Sequence, residues 1–313
     1  MKEHNYIFSI NFQNSLPIFH QKWWLDIVTP NTWQYIIHET GNLIVIWPII
    51  VQKKWGFSFS KMPPLTQCLG PWICKPEYEQ KITLAEELKI YEELLHHMPQ
   101  VSVFKQYCHP EIKQWLAFYW RGFEQSTRYT YRVKTNKTSD ELWQSLSRTR
   151  RRRIRSAEKK LKIVRDEDVH NLVNLVEQTY YRQNIPNPIS RFLIEKIYRE
   201  ALSAQKGIIL SAEDLHTNKI TATCFFVWDN FTLYYLIGAY DAKEDRDACG
   251  MSSLIWNGIQ LAKKRGIKFD FEGSMVKNIG FFFRSFGAGL VPYFEIKKVE
   301  SRILKILYGV KKL

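Results

Sequence analysis

Apolar positions along this chain recur with two periods, and the period in force predicts each element. Trp33–Glu39 and Leu43–Lys53 read as two strands around the Gly41-Asn42 dipeptide, a hairpin signal. Leu16–Val28 and Thr83–His97 carry helical spacing, Val101–Tyr107 is strand-like, and Glu111–Phe118 is helical again. Pro63, Pro64, Gly70 and Pro71 mark a loop between them. Further on, Tyr129, Tyr131 and Val133 alternate with polar neighbours in Thr127–Lys134. Thr138-Ser139-Asp140-Glu141 opens a helix expected to run on to about Lys160. Then come a strand at Leu161–Arg165, helices at Val169–Gln183 and Arg191–Ser203, and strands at Gly207–Glu213, Ile220–Trp228 and Phe231–Tyr240. A helix follows at Met251–Arg265.

The most distinctive stretch is Lys268–Phe294. Ile267, Phe269 and Phe271 alternate with Lys268, Asp270 and Glu272, the pattern of a strand with one buried and one open face. Gly273 ends the strand, Val276–Phe286 reads as a short aromatic helix, and Leu290–Lys298 as another strand. Asp270, Glu272 and Arg284 are thereby expected near one cleft.

Composition narrows the class. The 313 residues, 45% hydrophobic and 15% aromatic, suffice for two packed domains. The start lacks an apolar core of signal-peptide length, and the run Leu43–Val51 falls short of the roughly 20 residues of a membrane span. Cys68, Cys74, Cys108, Cys224 and Cys249 are scattered and odd in number, which reads as reduced thiols in a cytoplasmic protein. Neither Cys108-His109 nor His96-His97 has metal-ligand spacing, so no metal site is expected, and there is no GxSxG or P-loop. The net charge of +14 points to an anionic partner: nucleic acid, a phosphorylated co-substrate or an anionic membrane.

Glu272-Gly273-Ser274 followed by Phe282-Phe283-Arg284-Ser285-Phe286-Gly287-Ala288 resembles the end of the FemABX-like and BioF-like members of the GNAT acyltransferase superfamily. The loop Pro63–Pro71 and the helix Arg150–Lys160 resemble two further parts of that family, in the same order. The element order from residue 127 onward is the GNAT order. The resemblance implies an α/β (α+β) fold of two tandem GNAT-like domains, here residues 1–125 and 126–313. It implies transfer of an acyl group, acetyl first among them, from acyl-CoA to an amine. The alternatives are aminoacyl transfer from aminoacyl-tRNA to a cell-envelope precursor, and a non-catalytic polyanion-binding module.

In such a fold the donor pyrophosphate meets the N-terminus of the helix after the fourth strand. That junction is Tyr240–Ser253, where Arg246, Gly250, Ser252 and Ser253 are the candidates for coenzyme A binding. The usual spaced glycines are reduced to Gly250, and Asp245 and Asp247 bring the opposite sign for phosphate. Acyl transfer to an amine asks for a proton acceptor and a stabilised carbonyl oxygen. Asp270 or Glu272 is the candidate base, against a strand-face or salt-bridge role. Arg284 stands where the family tends to carry lysine, and its fixed charge suits electrostatic stabilisation or, alternatively, a helix cap. Arg148, Arg152, Arg155 and Lys159 form one helical stripe, opposite Ile154, Ala157 and Leu161, with six arginines in Arg148–Arg155. That density suits a bound polyanion: tRNA, a nucleotide-linked or lipid-phosphate precursor, or a coenzyme A phosphate. The tail Val299–Leu313 reads as an amphipathic closing helix, docked on its own domain or on an anionic membrane.

Overall fold

The computed structural model describes residues 5–41, 43–74, 82–245, 247–301 and 303–306. It divides into two compact units, residues 1–128 with 292–313, and residues 129–291. The sequence places the division close by, near residue 125, but leaves the tail with the second unit.

The first unit begins with α1 (Ile10–Asn14) and α2 (Lys22–Val28). Pro17 precedes a single 3-10 turn, Ile18–His20, so the helix expected from Leu16 starts later, at Lys22. Strands β1 (Trp33–Thr40), β2 (Leu43–Ile50), β3 (Gln52–Lys54), β4 (Phe57–Ser60) and β5 (Trp72–Cys74) follow. β2 pairs antiparallel with β1, from Trp33 opposite Ile50 to Thr40 opposite Leu43, and with β5 on its other edge. Asn42 and residues 75–81 lie outside the described residues. Helix α3 (Leu84–His96) is held at its start by a reciprocal capping box between Thr83 and Glu86. β6 (Val103–Tyr107) pairs in parallel with β4, and α4 (Leu116–Trp120) starts five residues later than its pattern suggests. The core is Trp47, Ile49, Tyr91, Leu94, Phe104 and Phe118, closed by Ile296 from residues 295–299, which pair antiparallel with β6.

The second unit follows the element order read from the sequence. After β7 (Glu124–Val133) come α5 (Ser139–Ser145) and α6 (Arg148–Glu158). The single helix expected from residue 138 to 160 is two, because Leu146 is extended (ψ 142°) and Ser147 starts a new helix. The Ser147 hydroxyl accepts from the Arg150 amide at 3.2 Å, and its own N–H donates to the Ser285 carbonyl at 2.9 Å. β8 (Leu161–Asp166), α7 (Val169–Arg182), α8 (Arg191–Ser203), β9 (Gly207–Asp214), β10 (Ile220–Trp228), β11 (Thr232–Tyr240), α9 (Cys249–Lys264), β12 (Lys268–Asp270), α10 (Lys277–Arg284) and β13 (Gly289–Val299) complete it. β13 passes into the first unit at Pro292. The unit's strands run β7-β12-β11-β10-β9-β8, and only the β11–β12 pair is parallel.

Helices cover this sheet on both faces. Phe226 of β10 faces α9, while its neighbour Phe225 meets Tyr198 of α8. α9 lies close because Gly258 has no side chain: a Cβ there would stand 2.6 Å from the Phe226 ring. Of the closing tail, residue 302 and residues 307–313, including Leu307, lie outside the described residues; Leu304 is buried and Ile303 and Ile306 are exposed. Among the described residues no helix is long and apolar enough to cross a membrane, and no group of three His, Cys, Asp or Glu could hold a metal ion.

Candidate active site

Asp270 and Glu272 sit together at the end of β12, but not as the two open-face acids of an alternating strand. The ladder is only three residues long, and Phe269, Asp270 and Phe271 are all buried. Asp270 has no solvent exposure, and one of its carboxylate oxygens takes the Arg132 Nε–H at 2.6 Å. The other accepts from the Thr130 hydroxyl at 2.5 Å and from the Glu272 amide at 2.7 Å. Arg132 and Thr130 both come from β7, whose register sets Arg132 opposite Asp270. With its oxygens engaged by fixed donors, Asp270 shapes the turn after β12 rather than standing open in a cleft.

That turn carries Glu272 in the left-handed region (φ 59°), followed by Gly273 at φ 84°. A side chain at Gly273 would meet the Tyr129 carbonyl at 2.6 Å, so glycine is required there on both counts. A glutamate held at positive φ stores roughly 1–3 kcal/mol of backbone strain, which surrounding contacts have to maintain. The Glu272 Oε1 atom is shut off from solvent without a hydrogen-bond partner among the described residues. Burial, with the Asp270 charge beside it, pushes the Glu272 carboxyl well above the usual carboxylate range. A carboxyl with a raised pKa and one unmatched oxygen, on a strained turn, is the arrangement expected of a functional acid.

Arg284 ends α10 and is exposed; no hydrogen bond or ion pair joins it to Asp270 or Glu272. The residues around it pack inward: Phe283 stacks on Phe271 with ring centroids 4.3 Å apart, and Phe286 is buried. The structure thus joins Asp270 and Glu272 directly, and leaves Arg284 with no bond to either. A buried cation that stands outside the predicted set is Arg150 of α6, 6% exposed. Arg150 donates from Nε to the Ser285 hydroxyl at 2.8 Å and from Nη1 to the Ser252 hydroxyl at 2.7 Å. Its guanidinium lies 4.3 Å from the Phe282 ring centroid and 5.1 Å from that of Phe286. Burial, and then the nearby Arg153, bring its pKa down to about 10, so it remains a cation at neutral pH. The signal was present in the sequence: Arg150 stands four residues before Ile154, on the same stripe as Ala157 and Leu161.

At the start of α9 the helix already has an anion. Ala248 caps it in the left-handed conformation (φ 51°), and the buried Asp245 carboxylate accepts from the Gly250 amide at 2.9 Å and the Met251 amide at 3.1 Å. Burial raises the Asp245 pKa, with the backbone N–H bonds pulling the other way. Gly250, Ser252 and Ser253 are all buried. Ser252 donates to the Ala248 carbonyl at 2.5 Å while receiving Arg150, and the Ser253 carbonyl accepts from Asn257 at 2.9 Å. Arg246 lies outside the described residues. Arg148, Arg152, Arg155 and Lys159 stand exposed on the outer face of α6, as their spacing requires.

Residues 144–275 match the family model of the GNAT acetyltransferase domain. The chain carries a GNAT-type domain in a FemX-like fold. The crystal structure of FemX superposes with a TM-score of 0.67 at 12% identity, over 90% of this chain and 94% of that one. L-PGS from Bacillus licheniformis aligns at a TM-score of 0.56 and 12% identity, over 92% and 90%. The C-terminal domain of a putative lysylphosphatidylglycerol synthetase from Agrobacterium fabrum aligns at 0.51 and 14% identity, over 88% and 90%. No curated protein matches the chain. The α/β fold and the GNAT resemblance thus hold, the family model over residues 144–275 and the fold over most of the chain.

Proposed function

We propose that this protein is an aminoacyltransferase, moving an amino-acid acyl group from an RNA ester, and not an acyl group from coenzyme A, onto an amine of an acceptor. The observation that carries the choice of donor is Asp245. In a GNAT domain the amides opening this helix are the natural seat of a pyrophosphate. Here a side-chain carboxylate takes two of them, and of the two buried serines behind, Ser252 already has its hydroxyl engaged. A coenzyme A pyrophosphate would have to displace a buried anion of its own sign, so these residues do not fit it. The FemX-like fold, and the domain of a putative lysylphosphatidylglycerol synthetase among the similar structures, support an aminoacyl group.

In the reaction the acceptor nitrogen attacks the ester carbonyl; a C–N bond forms, the C–O bond to the ribose breaks, and one proton passes from nitrogen to the leaving oxygen. Glu272 is the group suited to that exchange. Its carboxyl, raised above the usual carboxylate range, is suited to give a proton to the leaving oxygen and recover one from the nitrogen. Asp270 and Arg132 fix the turn that presents it.

The test uses the full chain with labelled aminoacyl-tRNAs and an extract of amine-bearing envelope precursors, followed by label transfer. Transfer is expected, and Glu272→Gln should lower it by about 100-fold or more. In parallel, acetyl-CoA should neither raise the melting temperature nor release free thiol. Thiol release matched to acylated amine would overturn the choice of donor.

A further inference from the structure

We propose that the outer face of α6, walled by Trp143 of α5, is a docking groove for the phosphate backbone of a nucleic acid. The groove encloses about 940 Å³, and Trp143, Arg148, Arg151, Arg152, Arg155 and Lys159 dominate its lining. No acidic side chain lines it. None of Arg148, Arg152, Arg155 and Lys159 makes an ion pair with a described residue. Four unpaired cations on one helical stripe repel one another, and only an external anion offsets that.

The shape of the patch selects the partner. From Arg148 to Lys159 the helix rises about 16 Å at ~1.5 Å per residue. One strand of a duplex presents a phosphate about every 3.4 Å along its axis, so several phosphates fall within reach of this stripe. A mononucleotide would satisfy one or two of the cations and leave the rest repelling. An anionic membrane asks for apolar side chains beside the charges. Here Thr149 and Ser156 lie between the cations, while Ile154 and Ala157, the apolar side of α6, are buried in the core. Trp143 is half-buried, braced edge-on by Trp256 with ring centroids 5.3 Å apart, and Arg155 lies 5.5 Å from its ring centroid. A braced indole between arginines is a stacking platform for a base at the end of a strand.

The helix is also held as a platform. Arg150 ties its inner face to Ser252 and Ser285, and Arg151 donates to the Gln144 side chain at 2.8 Å across the α5–α6 junction. The inference deepens the transfer reading, since an aminoacyl ester travels on RNA, but it is measured by binding without turnover.

Fluorescence anisotropy of the full-length protein with a labelled RNA hairpin, and with a DNA hairpin of the same sequence, tests it. If four phosphates are engaged, log affinity should fall with log salt at a slope of about −3.6. Arg152→Glu with Arg155→Glu should weaken binding at least tenfold and flatten the slope by about 1.8. Lys53→Glu with Lys54→Glu, the same change of net charge made in β3 of the first unit, should leave binding within twofold. Comparable RNA and DNA affinities assign recognition to the backbone, and preference for RNA adds its 2′-hydroxyls; either supports the groove. Equal loss in both double variants, or α6-dependent binding to phosphatidylglycerol vesicles without hairpin binding, would overturn it. Hairpin binding that depends on α6 in a protein inactive with every aminoacyl-tRNA would retain the groove and reject the transfer reading.

Discussion

Glu272 and Asp270 are two residues apart and have opposite surroundings. Asp270 is neutralised by Arg132 and receives two further hydrogen bonds, from the Thr130 hydroxyl and the Glu272 amide; Glu272 is half-buried with one oxygen shut off and unmatched. A carboxyl whose folded pKa is raised binds its proton more tightly in the folded state than in the unfolded one. It has no effect below the unfolded value of about 4.3, and then lowers stability as pH climbs toward the folded pKa, by up to about 1.4 kcal/mol per pH unit. Glu272→Gln keeps the shape and removes the ionisation. The variant is therefore expected to match the parent near pH 4 and to gain on it steadily at higher pH, as read by melting temperature across a pH series. A constant difference would show that Glu272 titrates normally. Arg132→Leu has the contrary sense: it leaves Asp270 as an uncompensated buried charge and should cost about 3–5 kcal/mol in denaturant unfolding.

At the scale of elements, α9 organises the second unit, because its start holds Asp245 and its middle lies hard against β10 and β12. Gly258 permits that approach; a Cβ would stand 2.6 Å from Phe226 and 3.0 Å from Phe269. Gly258→Val should force the helix off the sheet and destabilise the protein by about 1–3 kcal/mol. Glycine's lower helix propensity works the other way, by about 1 kcal/mol or less. A net gain in stability would show that the helix has room to shift. The α5–α6 break likewise has a tertiary cause. Helical spacing continues through Leu146 and Ser147, but the Ser147 amide is taken by the Ser285 carbonyl at 2.9 Å, and its hydroxyl caps α6.

For the molecule as a whole, the division at Pro292 makes the C-terminal segment part of the first unit. Residues 295–299 form a ladder with β6, and Tyr293 and Ile296 are buried. A chain stopped after Val291 loses that strand and the core residue Ile296. Its first unit should lose amide-exchange protection along β6 and become susceptible to limited proteolysis; full protection at Val103–Tyr107 in the truncated chain would contradict this role.

Much of this was legible in local pattern. Element order in the second unit and the cationic stripe of α6 follow from periodicity and spacing, which depend on neighbours a few residues away, and residues 272–288 added a family resemblance. Four residues apart on a helix is one face, whatever the helix packs against. Periodicity cannot say whether a face is covered. Alternation in β12 correctly put Asp270 and Phe269 on opposite sides, yet both sides are buried, because β7 brings Arg132 and Thr130 from about 140 residues away in sequence. The same limit hid Arg150, whose place on the apolar stripe becomes a role only when Ser252 and Ser285 arrive to satisfy it. It also set the fate of Asp245: the sequence showed a charge of the wrong sign for phosphate, and the tertiary structure turned that charge into the helix's own cap. The chain by itself determined which side chains share a face; long-range contacts decided which of those faces close, and so which acid and which arginine remain available for chemistry.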